Sequence, residues 1–91
     1  MPNLVEKKKK GNIDAYESYI PESSLLIGKT VKEVMKGFKN RIIIDHIHYS
    51  SDGLERMLLA TPKTIFRNGM YIKIFGEWED ICSFTNKFGL P

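Results

Sequence analysis

Apolar and polar positions along the chain alternate in two different rhythms. From residue 13 to 20, Ile13, Ala15, Tyr16, Tyr19 and Ile20 are interleaved with Asp14, Glu17 and Ser18, and Pro21 stops the segment; an extended strand is predicted. Leu25-Leu26-Ile27 then leads to Gly28-Lys29-Thr30, where Thr30 and Glu33 have the spacing of a capping box. The helix that follows carries Val31, Val34 and Met35 on one face, and Gly37 is placed to end it. Residues 41–49 form the strongest predicted strand, because Ile42, Ile43, Ile44, Ile47 and Tyr49 are β-branched or aromatic. A period of two puts Ile42, Ile44, His46 and His48 on one face, and Ile43, Asp45, Ile47 and Tyr49 on the other.

Ser50-Ser51-Asp52-Gly53 is a hairpin-type loop, and residues 54–60 return as a strand that Thr61-Pro62-Lys63 ends. Thr64-Ile65-Phe66 is a short extended piece. Asn68-Gly69 turns the chain into a last strand over 70–75, where Met70, Ile72 and Ile74 alternate with Tyr71, Lys73 and Phe75. After Gly76 the rhythm changes to three and four: Trp78, Ile81, Cys82, Thr85 and Phe88 mark an amphipathic helix over 77–88. Glu77, Glu79 and Asp80 suit the positive end of its dipole, and Gly89 caps it. The predicted fold class is a small α+β domain with a mixed or antiparallel sheet of about four strands, one short helix and a C-terminal helix.

Length and composition narrow this picture. Ninety-one residues make one domain, which buries only about 60–65% of its extended-chain surface and gains from a subunit interface. A hydrophobic fraction of 42% is enough for one core. The longest apolar runs, Ile42-Ile43-Ile44 and Met57-Leu58-Leu59-Ala60, are far below the roughly 20 residues that span a bilayer. The lysine run near the start is followed by Gly11-Asn12-Ile13-Asp14 and no apolar stretch, so no secretory leader is expected. The single cysteine, Cys82, allows no internal disulfide and is expected to be a buried thiol in a reducing cytoplasm.

The net charge of +3 is local. Lys7, Lys8, Lys9 and Lys10 against Glu6 give all of it, and the 10 basic and 10 acidic residues of 11–91 cancel. Residues 1–12 therefore read as a basic tail or linker and residues 13–91 as the domain. A neutral domain gives no reason to expect nucleic acid as its partner, even where Tyr71, Lys73 and Phe75 interleave aromatic and basic groups.

Three clusters could carry chemistry. Gly28-Lys29-Thr30 lacks the glycine that a phosphate-binding loop places five residues before its Gly-Lys pair, since Ser23 stands there. Asp45-His46-Ile47-His48 is the only group of metal-type or acid–base side chains. His46 and His48 are weak candidates for two metal ligands, but zinc needs three or four. Ser50 or Ser51 beside a histidine lacks a third catalytic member. No catalytic residue is assigned and no enzyme is expected. Lys36, Lys39 and Arg41, with Lys63 and Arg67 around the later loop, could receive phosphate oxygens or form a solvated rim.

Several stretches together resemble the C-terminal domain of regulators of potassium conductance, the RCK_C or TrkA-C domain. Residues 20–34 are similar to the family's opening, in which a strand ends, Leu26-Ile27-Gly28-Lys29-Thr30 turns, and a short helix begins. The Ile-rich strand over 42–47, Thr61-Pro62, the hairpin-like run 64–76 and Glu79-Asp80-Ile81 follow in the family's order and spacing, covering about residues 15–88. The resemblance implies a cytoplasmic, ligand-sensing homodimer that regulates a potassium or other cation channel, transporter or antiporter at the inner face of the membrane. It implies no cofactor, and in some members cyclic di-AMP binds across the dimer interface. Carried over by position, the ligand site would use Val31 and Pro62. The family's arginine near the helix end falls at Gly37, where Lys36, Lys39 or Arg41 would have to substitute, and its polar strand residue falls near Ile43. The expected interface is the short helix and long strand over 31–49. The alternative is an effector-binding or dimerisation domain of a transcription regulator.

Overall fold

The computed structural model describes residues 11–91; the expectation for Lys7–Lys10 lies outside them. The chain runs β1 (Asp14–Tyr19), α1 (Val31–Gly37), β2 (Ile43–Ser51), β3 (Leu54–Leu59), β4 (Tyr71–Gly76) and α2 (Trp78–Phe88). The four strands form one sheet in the order β1-β4-β2-β3, with every pair antiparallel. The fold is α+β, as the two rhythms of the sequence require.

Local chemistry sets the elements. β2 and β3 are joined by a two-residue turn in which Asp52 and Gly53 both have positive φ, at 53° and 77°. Such a turn matches the right-handed twist of its strands, and Asp-Gly is a pair that tolerates it. α1 begins in a complete capping box: Thr30 Oγ1 accepts from the Glu33 N–H at 3.3 Å, and Glu33 Oε1 accepts from the Thr30 N–H at 2.8 Å. Gly37 is its last residue, but the chain reverses two residues later, through left-handed Lys39 and Asn40. α2 ends as expected on Gly89, whose left-handed φ of 65° lets its N–H reach the Thr85 carbonyl.

Both helices cover the same face of the sheet. Val31 and Val34 of α1 and Ile81, Phe84 and Phe88 of α2 join Ile42, Ile44, Ile47, Ile72 and Ile74 in one core, closed by Ile20, Leu26, Phe66 and Leu90. Phe38, Phe84 and Phe88 stack within it, with centroids 4.9–6.1 Å apart. Cys82 is buried as expected, and burial pushes its thiol pKa up, away from a reactive thiolate.

The period-two expectation for β2 fails at one residue. Between Ile44 and His46 the register against β4 shifts, so that Ile44 opposes Ile74 while Ile47 opposes Ile72. Asp45 is the extra residue of a bulge, which reverses the alternation beyond it. Ile42, Ile44 and Ile47 therefore share the core face, whereas His46 and His48 turn to the outer face with Ile43. The exchange buries Ile47 and leaves both histidines half-buried on the outer face.

The loop before α1 is held by one hydroxyl. Ser24 Oγ, buried, donates to the Phe88 carbonyl at 2.7 Å and accepts from the Leu26 N–H at 3.1 Å. Ser24→Ala leaves a buried amide without its acceptor and a carbonyl at the end of α2 without its shortest partner. The expected loss is about 1–3 kcal/mol, read as a lower urea midpoint with an unchanged slope; an unchanged midpoint would contradict this role for the hydroxyl.

Candidate functional site

The segment between β3 and β4 builds the site. Thr61 N–H donates to Thr64 Oγ1 at 2.9 Å, and Thr64 N–H returns to the Thr61 carbonyl at 3.0 Å. This closes a tight turn with Pro62 at the position where its fixed φ is an advantage. The segment then docks against the start of α1. Val31 N–H donates to the Thr64 carbonyl at 2.9 Å, Lys32 N–H to the Pro62 carbonyl at 3.1 Å, and Thr30 bridges to Ile65. The first amides of α1 are thus occupied by backbone carbonyls, leaving its side chains to do any binding.

Between α1, the start of β2 and this turn lies an open groove of about 670 Å³, lined by Val31, Lys32, Met35, Lys36, Asn40, Ile44, Ala60, Thr61 and Pro62. Its volume falls within the range of small-molecule sites. Val31 and Ile44, both buried, form the floor; Met35, Ala60 and Pro62 add apolar wall. Lys32 and Lys36, one helical turn apart, place two cations on the rim, and the lining contains no carboxylate. Asn40 adds an amide, held there by its own left-handed backbone and by its N–H bond to the Met35 carbonyl at 2.9 Å. Such a lining suits a ligand with a flat or apolar body and at least one anionic group.

Three of the six candidate ligand residues, Val31, Lys36 and Pro62, meet in this groove. The other three do not. Lys39 lies in the turn beyond the helix and does not line it. Arg41 Nε points toward α2, 3.6 Å from Asp80 Oδ1. Ile43, adjacent in sequence to groove-lining Ile44, is exposed on the outer face of the sheet. Lys32, Met35, Asn40, Ile44, Ala60 and Thr61, which also line the groove, were missed as site residues. The i, i+4 spacing of Val31 with Met35 and of Lys32 with Lys36 is the signal that could have found the first two.

The histidines stand on the outer face. His46 sits opposite Lys73 on β4 and Leu59 on β3, and His48 opposite Tyr71 and Met57. His46 Nδ1 lies 3.2 Å from Asp45 Oδ2 but out of line for a hydrogen bond. A lysine and apolar neighbours do not complete a metal shell, and among the described residues no three His, Cys, Asp or Glu side chains gather to hold one.

The chain matches no protein-family model and no curated protein sequence. The groove and its residues are therefore what the functional reading rests on. Among the described residues no helix is long and apolar enough to cross a membrane.

Proposed function

We propose that this domain is a ligand-sensing regulatory module of the RCK_C type, acting as a homodimer on a potassium or other cation channel, transporter or antiporter, and that its groove takes an anionic small molecule such as cyclic di-AMP. The single observation behind the reading is that Val31 and Pro62, the positions that the family resemblance assigns to the ligand, line one groove with Lys32 and Lys36. The apolar floor would receive a base and the lysines a phosphate. A ligand held between α1 and the Thr61–Thr64 turn would regulate by preferring one arrangement of the two subunits, because only a difference in affinity between states can shift their balance. The reading involves no enzymatic step, and no residue is given a catalytic role.

Binding to the folded state raises its melting temperature. At about one hundred times its dissociation constant a ligand adds about 2.7 kcal/mol, an increase of about 10–20 °C for a domain of this size. Cyclic di-AMP is expected to produce such an increase, and the double variant Lys32→Glu, Lys36→Glu to abolish it without changing the fold, since both side chains are exposed. If neither cyclic di-AMP nor other adenine nucleotides move the melting temperature, the sensor reading fails.

A further inference from the structure

The groove continues onto a surface that neither helix covers. α1 packs over β2 and α2 over β4, which leaves the helix-bearing face of β3 open. By register with β2, Leu54, Arg56 and Leu58 share this face with Tyr49 and Ile47. Ala60, which lines the groove, follows in the same row. Ile47 is buried and Tyr49 half-buried, whereas Leu54 and Leu58 are 60% and 49% exposed. From Leu54 to Ala60 the row runs about 20 Å at strand spacing.

The charges on this surface have one sign. Lys32 and Lys36 stand on the groove rim, and Arg56 lies further along the same face, opposite Tyr49. The carboxylates near them in sequence are placed elsewhere. Glu33 lines the small cavity between α1 and α2 and accepts from the Thr30 N–H. Glu55 alternates onto the outer face of β3, opposite Ser50, and Asp52 sits in the turn between β2 and β3.

We propose that this surface docks an acidic amphipathic helix of another protein, laid beside α1 across β2 and β3. Form, charge and exclusion point to that occupant. Helices already cover the other strands on this face, since a sheet's apolar face is buried by a packed layer. A row of about 20 Å matches a helix of about 13 residues. Apolar anchors one turn apart on that helix would reach Leu54, Leu58, Tyr49 and Met35, and carboxylates beside them would meet Arg56, Lys32 and Lys36.

Among the described residues the chain offers no such helix to a second copy. The exposed positions of α1 are Lys32, Glu33, Lys36 and Gly37, and those of α2 are Glu79, Ser83, Asn86 and Lys87; none is apolar. The run Lys7–Lys10 has the wrong sign for a basic surface. The docked helix would cross the mouth of the groove, so the helix and an anionic small molecule exclude one another. That consequence, unlike the docking itself, rests on the sensor reading: a ligand that takes Lys32 and Lys36 would release the partner.

The test uses the full chain and a synthetic helical peptide with leucines at i, i+3, i+4 and i+7 and glutamates on both flanks. Its controls are the same peptide with lysine for every glutamate, and a scrambled order of the acidic one. Fluorescence anisotropy is expected to show saturable binding of the acidic peptide alone, with amide shifts centred on Leu54, Arg56, Leu58 and Lys32. Arg56→Glu and, separately, Leu58→Asp are expected to weaken it about tenfold or more, with unchanged circular dichroism because both positions are exposed. Leu59→Asp, on the outer face of the same strand, is expected to leave binding as it was. The proposal is overturned if the acidic peptide does not bind saturably or either control binds as well. An equal loss from Leu59→Asp and Leu58→Asp overturns it too. The sensor reading is judged separately: cyclic di-AMP that neither displaces a bound peptide nor raises the melting temperature refutes that reading and leaves the docking surface standing.

Discussion

Replacing Phe66 with alanine is expected to cost about 3–5 kcal/mol, a large share of the about 5–15 kcal/mol that stabilises a whole domain. Phe66 lies outside every helix and long strand, yet it is fully buried among the largest core side chains. Its backbone makes two bonds to the turn before α1, N–H to the Lys29 carbonyl and carbonyl from the Gly28 N–H, each 3.0 Å. The ring is thus the anchor that fastens the β3–β4 connection beneath α1. Its loss removes a large apolar volume where the neighbours, held by backbone bonds, collapse poorly. The same connection carries Thr61 and Pro62, so the groove should loosen along with the core. Urea denaturation followed by circular dichroism measures the effect; a loss below about 1 kcal/mol would mean that the segment is not anchored there.

Gly76→Ala should cost about 1–3 kcal/mol, for a different reason. The backbone of Gly76 is not left-handed, so alanine meets no torsional penalty. What it lacks is room: a Cβ there would come within 2.9 Å of both the Arg41 carbonyl oxygen and Ile42 Cδ1. The isoleucine methyl can rotate away, but the carbonyl belongs to backbone leading into β2 and cannot move without shifting the β2–β4 pairing. Thermal unfolding should show a midpoint lower by about 5–20 °C, and a normal midpoint would show that the β2–β4 contact yields easily.

The two rhythms of the sequence foretold six elements of the correct type, with ends off by a residue or two, because caps and turns are local. Thr30 with Glu33, Asp52-Gly53 and Gly89 each act through their near neighbours, and each does what its chemistry requires. What depends on distant pairing was not legible. The bulge at Asp45 lets Ile47, not His46, take the buried place opposite Ile72, and nothing within the Asp45–His48 run announces it. The strand order places β4 between β1 and β2, which no local pattern specifies. The same limit divides the site. Val31, Lys36 and Pro62 face the groove because a helix face and a docked turn meet there. Arg41 and Ile43, two residues apart, leave it for opposite sides: one turns toward Asp80 and the other out through the sheet.

Amide chemical-shift mapping of the full chain during titration with cyclic di-AMP tests the central claim most directly, because it reports both whether a ligand binds and where. The predicted result is a saturable shift centred on Lys32, Met35, Lys36, Asn40 and Thr61, residues that line the groove, with the outer-face strand residues His46, His48 and Tyr71 nearly unmoved. Saturable shifts confined to that outer face, or none with any adenine nucleotide, would contradict the account.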